Sequence, residues 1–253
     1  LAYGAALGGD FVFDDVHSVA ANTALHDLGN LWRLLVDPTA FSATGQAMYR
    51  PALLVSFALN IAVSPAAWSV KAGNVLLHAT TAWLLWRWLR SWRVHVPAAF
   101  VAAALFAVHP LLSEAINLVS ARSELLLGCS VLLTLLAHRA WQHGRRPRLA
   151  MCGMVVGTLI ACGSKETGVV LPALLAAQVL AVRNEDRRRI DWRRAVVGVL
   201  PIVLLVLGYL VLRKVLLGQA TVDLLARSGG DPTTGHGRTL LMQLATMGTL
   251  LPK

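Results

Sequence analysis

Charge in this sequence is confined to the gaps between long apolar runs, and its sign alternates from gap to gap. Arginines gather in every second gap (Arg87, Arg90, Arg93; Arg139, Arg145, Arg146, Arg148; Arg183, Arg187, Arg188, Arg189, Arg193, Arg194). The gaps between them hold the carboxylates Asp14, Asp15, Glu114, Glu124 and Glu166 with single cations alongside. A chain that crosses a bilayer several times and keeps its basic loops in the cytoplasm writes this pattern. The carboxylates then share the opposite, outer face, where ionisable groups close to the bilayer point to a site rather than a surface.

Composition supports that frame. With 56% hydrophobic and 14% charged residues, and a mean hydropathy of +0.61, 253 residues lack the polar surface of a soluble globule. The net charge of +10 would suit nucleic acid in a soluble protein, yet 13 of the 23 Lys and Arg lie in the three arginine-rich gaps. They read as topology determinants that also favour anionic membrane lipids, and no nucleic-acid partner is expected. Cys129, Cys152 and Cys162 lack metal-ligand spacing and sit in apolar stretches, so they read as small apolar residues. The start shows neither an initiator Met nor a signal peptide, and the chain reads as a fragment cut after an earlier helix.

A helix needs roughly 20 apolar residues to cross the hydrocarbon core. Six runs are candidates: 70–90, 96–112, 115–138, 149–163, 166–182 and 195–217. Positive-inside orientation puts 91–95, 139–148 and 183–194 in the cytoplasm. His109 to Glu114, Ser164 to Thr167 and everything before residue 65 then lie outside. Arg213 and Lys214 are the exception, at the outer end of the last run, where they snorkel or approach an anionic ligand. The expected fold is an all-α polytopic bundle forming one domain: an outer loop at 1–49, a membrane bundle at 50–217, and an outer loop with the start of another helix at 218–253. Within the first loop, Leu28, Leu31, Trp32, Leu34 and Leu35 predict a surface helix before Asp37-Pro38. Residues 51–63 predict an interfacial or re-entrant helix entered through Tyr49-Arg50-Pro51.

Three constellations carry chemistry. Asp14-Asp15 follows the apolar Phe11-Val12-Phe13. Adjacent acids shift each other's pKa and leave one competent as a general base for a hydroxyl; equally, an Asp before Val16-His17-Ser18-Val19 would cap a helix. The segment HPLLSEAINLVSARSE at 109–124 is a polar hairpin between two runs. A helix over 113–138 would be about 39 Å long, so its first turns stand proud of the core with Glu114 and Arg122 near the interface. Arg122 suits a phosphate because its fork donates several hydrogen bonds at once, or it snorkels and pairs with Glu124 or Glu114. His109 before Pro110 reads as a ligand group or as a helix-ending residue. Lys165 and Glu166, in the tight Gly163-Ser164-Lys165-Glu166-Thr167 junction, either neutralise each other or meet an anionic ligand together. The second reading is favoured because Arg122 and Arg50 share that face.

Taken together, FVFDD at 11–15, YRP at 49–51, NVLLH at 74–78, HPLLSEAINLVSARSELL at 109–126 and SKETGVVLP at 164–172 resemble the transmembrane and tetratricopeptide-repeat O-mannosyltransferases and their bacterial relatives. These belong to the C-type glycosyltransferase superfamily. The motifs occur in the family's order, although Leu112 stands where the family has a second His and Ala121 where it often has Gly. No tetratricopeptide repeat is present, which fits truncation at Lys253.

The resemblance implies a membrane enzyme that moves a sugar, mannose or another hexose, from a polyprenyl-phosphate donor to a protein or lipid hydroxyl outside the cytoplasm, with inversion. It puts the catalytic base on Asp14 or Asp15, and donor-phosphate or substrate contacts on Arg50, His109, Glu114, Arg122, Lys165 and Glu166. Relatives differ on metal dependence; the nearby cations favour a phosphate site without a divalent metal, and no other cofactor is expected. High Ala, Arg and Leu usage points to a bacterial inner membrane with a periplasmic site. The competing reading is a transporter or flippase for polyprenyl-linked lipids, but that needs midplane charges and broken helices in related halves. Asp14 or Asp15, Arg122 and Lys165 are expected to line one outward pocket.

Overall fold

The computed structural model describes residues 3–44, 47–186 and 191–227, and they form an all-α polytopic bundle. In chain order the helices are α1 (Leu31–Val36), α2 (Pro51–Val63), α3 (Ala67–Ser91), α4 (Val96–Val108), α5 (Ser113–Asn117), α6 (Arg122–Gln142), α7 (Pro147–Ser164), α8 (Leu171–Asp186) and α9 (Trp192–Arg227).

Among the described residues, three helices are long and apolar enough to cross a membrane: Val119–Gln142, Pro147–Ser164 and Trp192–Gly218. A fourth crossing exists if α4 and the segment Pro110–Asn117, bent by 49°, act as one span. The sequence predicted six. Two of them fall short for different reasons. The 25-residue α3 has the length, but it buries Lys71, Asn74 and His78 and ends in Arg87 and Arg90. The apolar stretch around α8, Glu166–Ala181, is shorter than the core is thick. The outer faces of α4, α7 and α9 carry exposed Phe100, Leu105, Leu149, Leu159, Leu204, Leu207 and Val211. Apolar faces of that extent belong in lipid.

Residues 3–44 pack as a series of short turns over α2. Leu25, Leu34 and Ala40 bury against Leu53, Leu54, Phe57 and Ile61, and Val119 joins the same cluster. The predicted surface helix is α1, and the predicted half-span helix is α2, which Pro51 opens at its first position. A second cluster joins Met154 of α7, Leu175 of α8 and Ile202 of α9.

Among the described residues, α6 and α7 form the most extensive helix pair. A Cβ on Gly157 would lie 2.2 Å from Thr134 Oγ1, so only glycine allows this approach. The turn between them needs Gly144 at φ +68°. The predicted continuous helix over 113–138 is broken: Leu118 is extended at φ −85° and ψ 113°, and Val119–Ala121 form a 3-10 turn before α6. The predicted loop from residue 218 is also corrected, since α9 runs on to Arg227. The start of another helix expected within 218–253 falls, beyond Arg227, outside the described residues, as do Arg187, Arg188 and Arg189.

Candidate active site

Phe13 adopts a left-handed backbone at φ +48°. A non-glycine residue pays a conformational penalty there, and what it achieves is a tight turn in which Asp15 N–H donates to the Val12 carbonyl at 3.0 Å. The turn sends the adjacent acids to opposite environments. The Asp15 carboxylate is fully buried and accepts the backbone N–H groups of Ser120 at 2.7 Å and Val119 at 3.1 Å. It therefore caps the 3-10 turn that interrupts the predicted helix. The Asp14 side chain is 74% exposed, and its Oδ1 lies 3.3 Å from His17 Nε2. The other ring nitrogen of His17 meets Ser42 Oγ at 3.0 Å, and Ser42 meets Thr44 Oγ1 at 2.8 Å. Asp14 thus ends a polar chain fixed by the loop: a carboxylate open to solvent, oriented by an imidazole whose far side is held.

Arg122 sits elsewhere than the sequence placed it. Its side chain is buried inside the bundle, not on an outward wall. Nε donates to Asn74 Oδ1 at 2.6 Å, Nη2 to Asn60 Oδ1 at 2.8 Å and the Val70 carbonyl at 2.6 Å, and Nη1 to the Ser56 carbonyl at 3.2 Å. The guanidinium also lies 4.6 Å from the centre of the Phe57 ring. Gly73 leaves room for this knot, since a Cβ there would come within 2.8 Å of Arg122 Nη2. With four donors committed to α2 and α3, Arg122 joins helices and does not face outward.

The Ser164–Thr167 junction pairs its charges outward instead of with each other. Lys165 forms an ion pair with Glu124 of α6. Glu166 accepts from Arg50 at 3.0 and 3.4 Å and from Arg213 of α9 at 3.2 Å. Tyr49 stacks on Tyr209 beside this triad with ring centres 6.0 Å apart, and burial pushes the Tyr49 hydroxyl above its ordinary pKa. His109 caps the following turn, its Nδ1 accepting Leu111 N–H at 3.3 Å, and Glu114 is exposed in the first turn of α5.

Three of these contacts meet at the start of α6. Asp15 grips Val119 and Ser120, Arg122 ties α2 and α3, and Glu124 holds Lys165. Ser120 and Glu124 are about 6 Å apart along the helix axis. Asp15, next in sequence to the exposed acid, and Lys165 are thus held roughly one turn apart on a single segment. Sequence reasoning gave no role to His17, Ser42, Asn60 or Asn74. The DDVH spacing, acid and imidazole three residues apart, was the available signal for His17.

Residues 50–211 match the family described as dolichyl-phosphate-mannose-protein mannosyltransferase. The chain belongs to this family. It is 30% identical over 200 residues to protein O-mannosyl-transferase Tmtc2 of Drosophila melanogaster, covering 74% of this chain and 21% of that protein. Protein O-mannosyl-transferase F38B6.6 of Caenorhabditis elegans is 29% identical over 194 residues, 73% of this chain and 27% of that one. Human protein O-mannosyl-transferase TMTC1 is 31% identical over 208 residues, 74% and 23%. The chain therefore spans about a quarter of the length of these relatives. No solved structure matches it. The stretch matched to the mannosyltransferase family takes in Arg50, His109, Glu114, Arg122, Lys165 and Glu166, and leaves Asp14, Asp15 and Arg213 outside.

Proposed function

We propose that this chain is the donor-handling part of a membrane glycosyltransferase that moves mannose or another hexose from a polyprenyl-phosphate donor to a hydroxyl of a protein or lipid acceptor, on the extracytoplasmic side and with inversion. Asp14 is the general base. The observation that carries this is the exposed Asp14 carboxylate, its Oδ1 3.3 Å from His17 Nε2, on a loop whose next residue, Asp15, holds Val119 and Ser120 a few residues before Glu124, the partner of Lys165.

In the reaction the acceptor hydroxyl gives its proton to Asp14 while its oxygen attacks the anomeric carbon from the face opposite the phosphate. The bond from that carbon to the phosphate oxygen breaks, and the polyprenyl phosphate leaves with the electron pair. A phosphate is a competent leaving group beside cations and needs no strong general acid. Arg50 and Lys165 hold it, with no step assigned to a metal. Asp15 and Arg122 act at one remove, by fixing the loop and the helix that position these groups. Membership of a mannosyltransferase family supports the reaction class. The arginine-rich gaps and the high Ala, Arg and Leu usage support a bacterial inner membrane with the site facing the periplasm.

The test is sugar transfer from radiolabelled polyprenyl-phosphate-mannose by membranes carrying the protein at matched levels. Asp14→Asn is expected to abolish transfer while donor binding persists. Full transfer by Asp14→Asn would remove the assignment of the base, and absence of transfer by the unaltered protein, with donor still bound, would favour a lipid-binding or transport role.

A further inference from the structure

Two guanidinium groups share one carboxylate at the outer end of the bundle. Arg50 Nη2 lies 3.0 Å from Glu166 Oε2 and Arg213 Nη2 lies 3.2 Å from Oε1. Both cations are partly buried, with side-chain exposures of 18% and 31%. The cluster therefore carries a net positive charge, and Arg213 contributes it from a helix long and apolar enough to span the membrane. Charge held at such a position is normally paired. Here the pairing is incomplete: Arg213 Nε is buried and has no hydrogen-bond partner among the described residues. Tyr209 Oη, one turn earlier on α9, is buried and likewise without a partner among the described residues. Two orphaned polar groups on one helix thus flank a cluster with excess positive charge.

Glu166 presents its two oxygens to two forks, the arrangement in which arginines take a phosphate. A phosphate offers a third oxygen, which the Tyr209 hydroxyl and Arg213 Nε would reach, and it brings the missing charge. The Tyr49–Tyr209 stack, with 28° between ring planes, braces the residue before Arg50 against the residue one turn before Arg213. The two forks are thereby held facing each other without the ligand.

We propose that Arg50, Tyr209 and Arg213 form the receptor for one phosphate carried on a membrane lipid, and that Glu166 occupies its place until that lipid arrives. The inference deepens the donor reading above and rests on it. Glu166 is then a competitor of the ligand, not a contact to it, and Arg213 joins the binding residues although it lies beyond the matched family stretch.

The measurement is lipid binding by the protein in phosphatidylcholine nanodiscs, titrated in parallel with a sugar-free polyprenyl phosphate and with phosphatidylglycerol. Arg213→Gln is expected to raise the Kd of the bound lipid about tenfold, the loss of one charge-assisted fork. Tyr209→Phe is expected to raise it about threefold, the loss of one neutral hydrogen bond. Glu166→Gln is expected to lower it, because the competitor loses its charge. Thermal midpoints check folding, and Arg213→Lys, which keeps the charge and loses the fork, replaces Arg213→Gln if that variant fails to fold. Whichever lipid shows this opposite response of Glu166 and Arg213 is the ligand.

Glu166→Gln weakening binding as Arg213→Gln does, or neither variant changing it, would overturn the proposal. Continued sugar transfer in that case would leave the transferase reading standing. A protein that bound neither lipid and transferred no sugar would overturn both.

Discussion

Neighbouring acids with opposite surroundings make Asp15→Asn and Asp14→Asn a stringent pair. The Asp15 carboxylate accepts two well-formed backbone N–H bonds at 2.7 and 3.1 Å in a fully buried position. A hydrogen bond to a charged group contributes about 1.5–3 kcal/mol. Asparagine keeps the shape and one acceptor oxygen but turns an NH2 donor toward a backbone donor. The loss is therefore one charged bond plus an unsatisfied buried amide, about 2–4 kcal/mol. For a chain of this size that corresponds to a fall in thermal midpoint of roughly 5–12 °C. Asp14 is mostly exposed, and its removal stays within about 0.5 kcal/mol. The assay is thermal unfolding in detergent beside sugar transfer on the same preparations. Asp15→Asn should lose stability first and activity with it, while Asp14→Asn should keep its midpoint and lose transfer. A native midpoint for Asp15→Asn, or a larger fall for Asp14→Asn, would refute the division of labour.

Arg122→Leu leaves Asn60, Asn74 and two carbonyls without their shared donor, so about 3 kcal/mol or more should be lost, read as a lower thermal midpoint; Arg122→Lys should recover only part. A Cβ on Gly168 would lie 2.6 Å from the Ala161 backbone, so Gly168→Ala must displace the turn that carries Lys165 and Glu166. A destabilisation of about 1–3 kcal/mol, with a raised donor KM, is the expected result in unfolding and transfer assays. Glu124→Gln removes a half-exposed ion pair and should change stability by under about 1 kcal/mol. By freeing Lys165 for an anion it should lower the donor KM. His17→Ala should slow transfer without changing stability by more than about 1 kcal/mol, read in transfer and unfolding assays, since the ring is part-exposed and fixes Asp14 from one side.

The helical class was legible because apolar runs and alternating charged gaps are one-dimensional signals. The half-span at 51–63 was legible for the same reason, from its length and its opening proline. The break at Leu118 was not, because what stops the helix is a carboxylate more than a hundred residues away that captures Val119 and Ser120 N–H. Asp15 itself read as base or cap, and adjacency in sequence carried no hint of which acid would be buried. Arg122 was placed near the interface by helix length alone; its depth follows from Asn60 and Asn74, amides that look unremarkable among apolar neighbours. Lys165 and Glu166 were legible as charges too confined to be idle, but their partners Glu124, Arg50 and Arg213 arrive from other helices. Arg213 stood out only as a violation of the charge rule, and that violation is where the triad forms.

The knot around Arg122 also bears on how such a chain is made. All its acceptors, on Ser56, Asn60, Val70 and Asn74, precede it in the sequence. During vectorial synthesis α2 and α3 emerge first, so every acceptor for the guanidinium has been made before α6 emerges. Ribosomal order thus places the acceptors ahead of a cation that lipid would reject, and without α3 in place the arginine would be stranded.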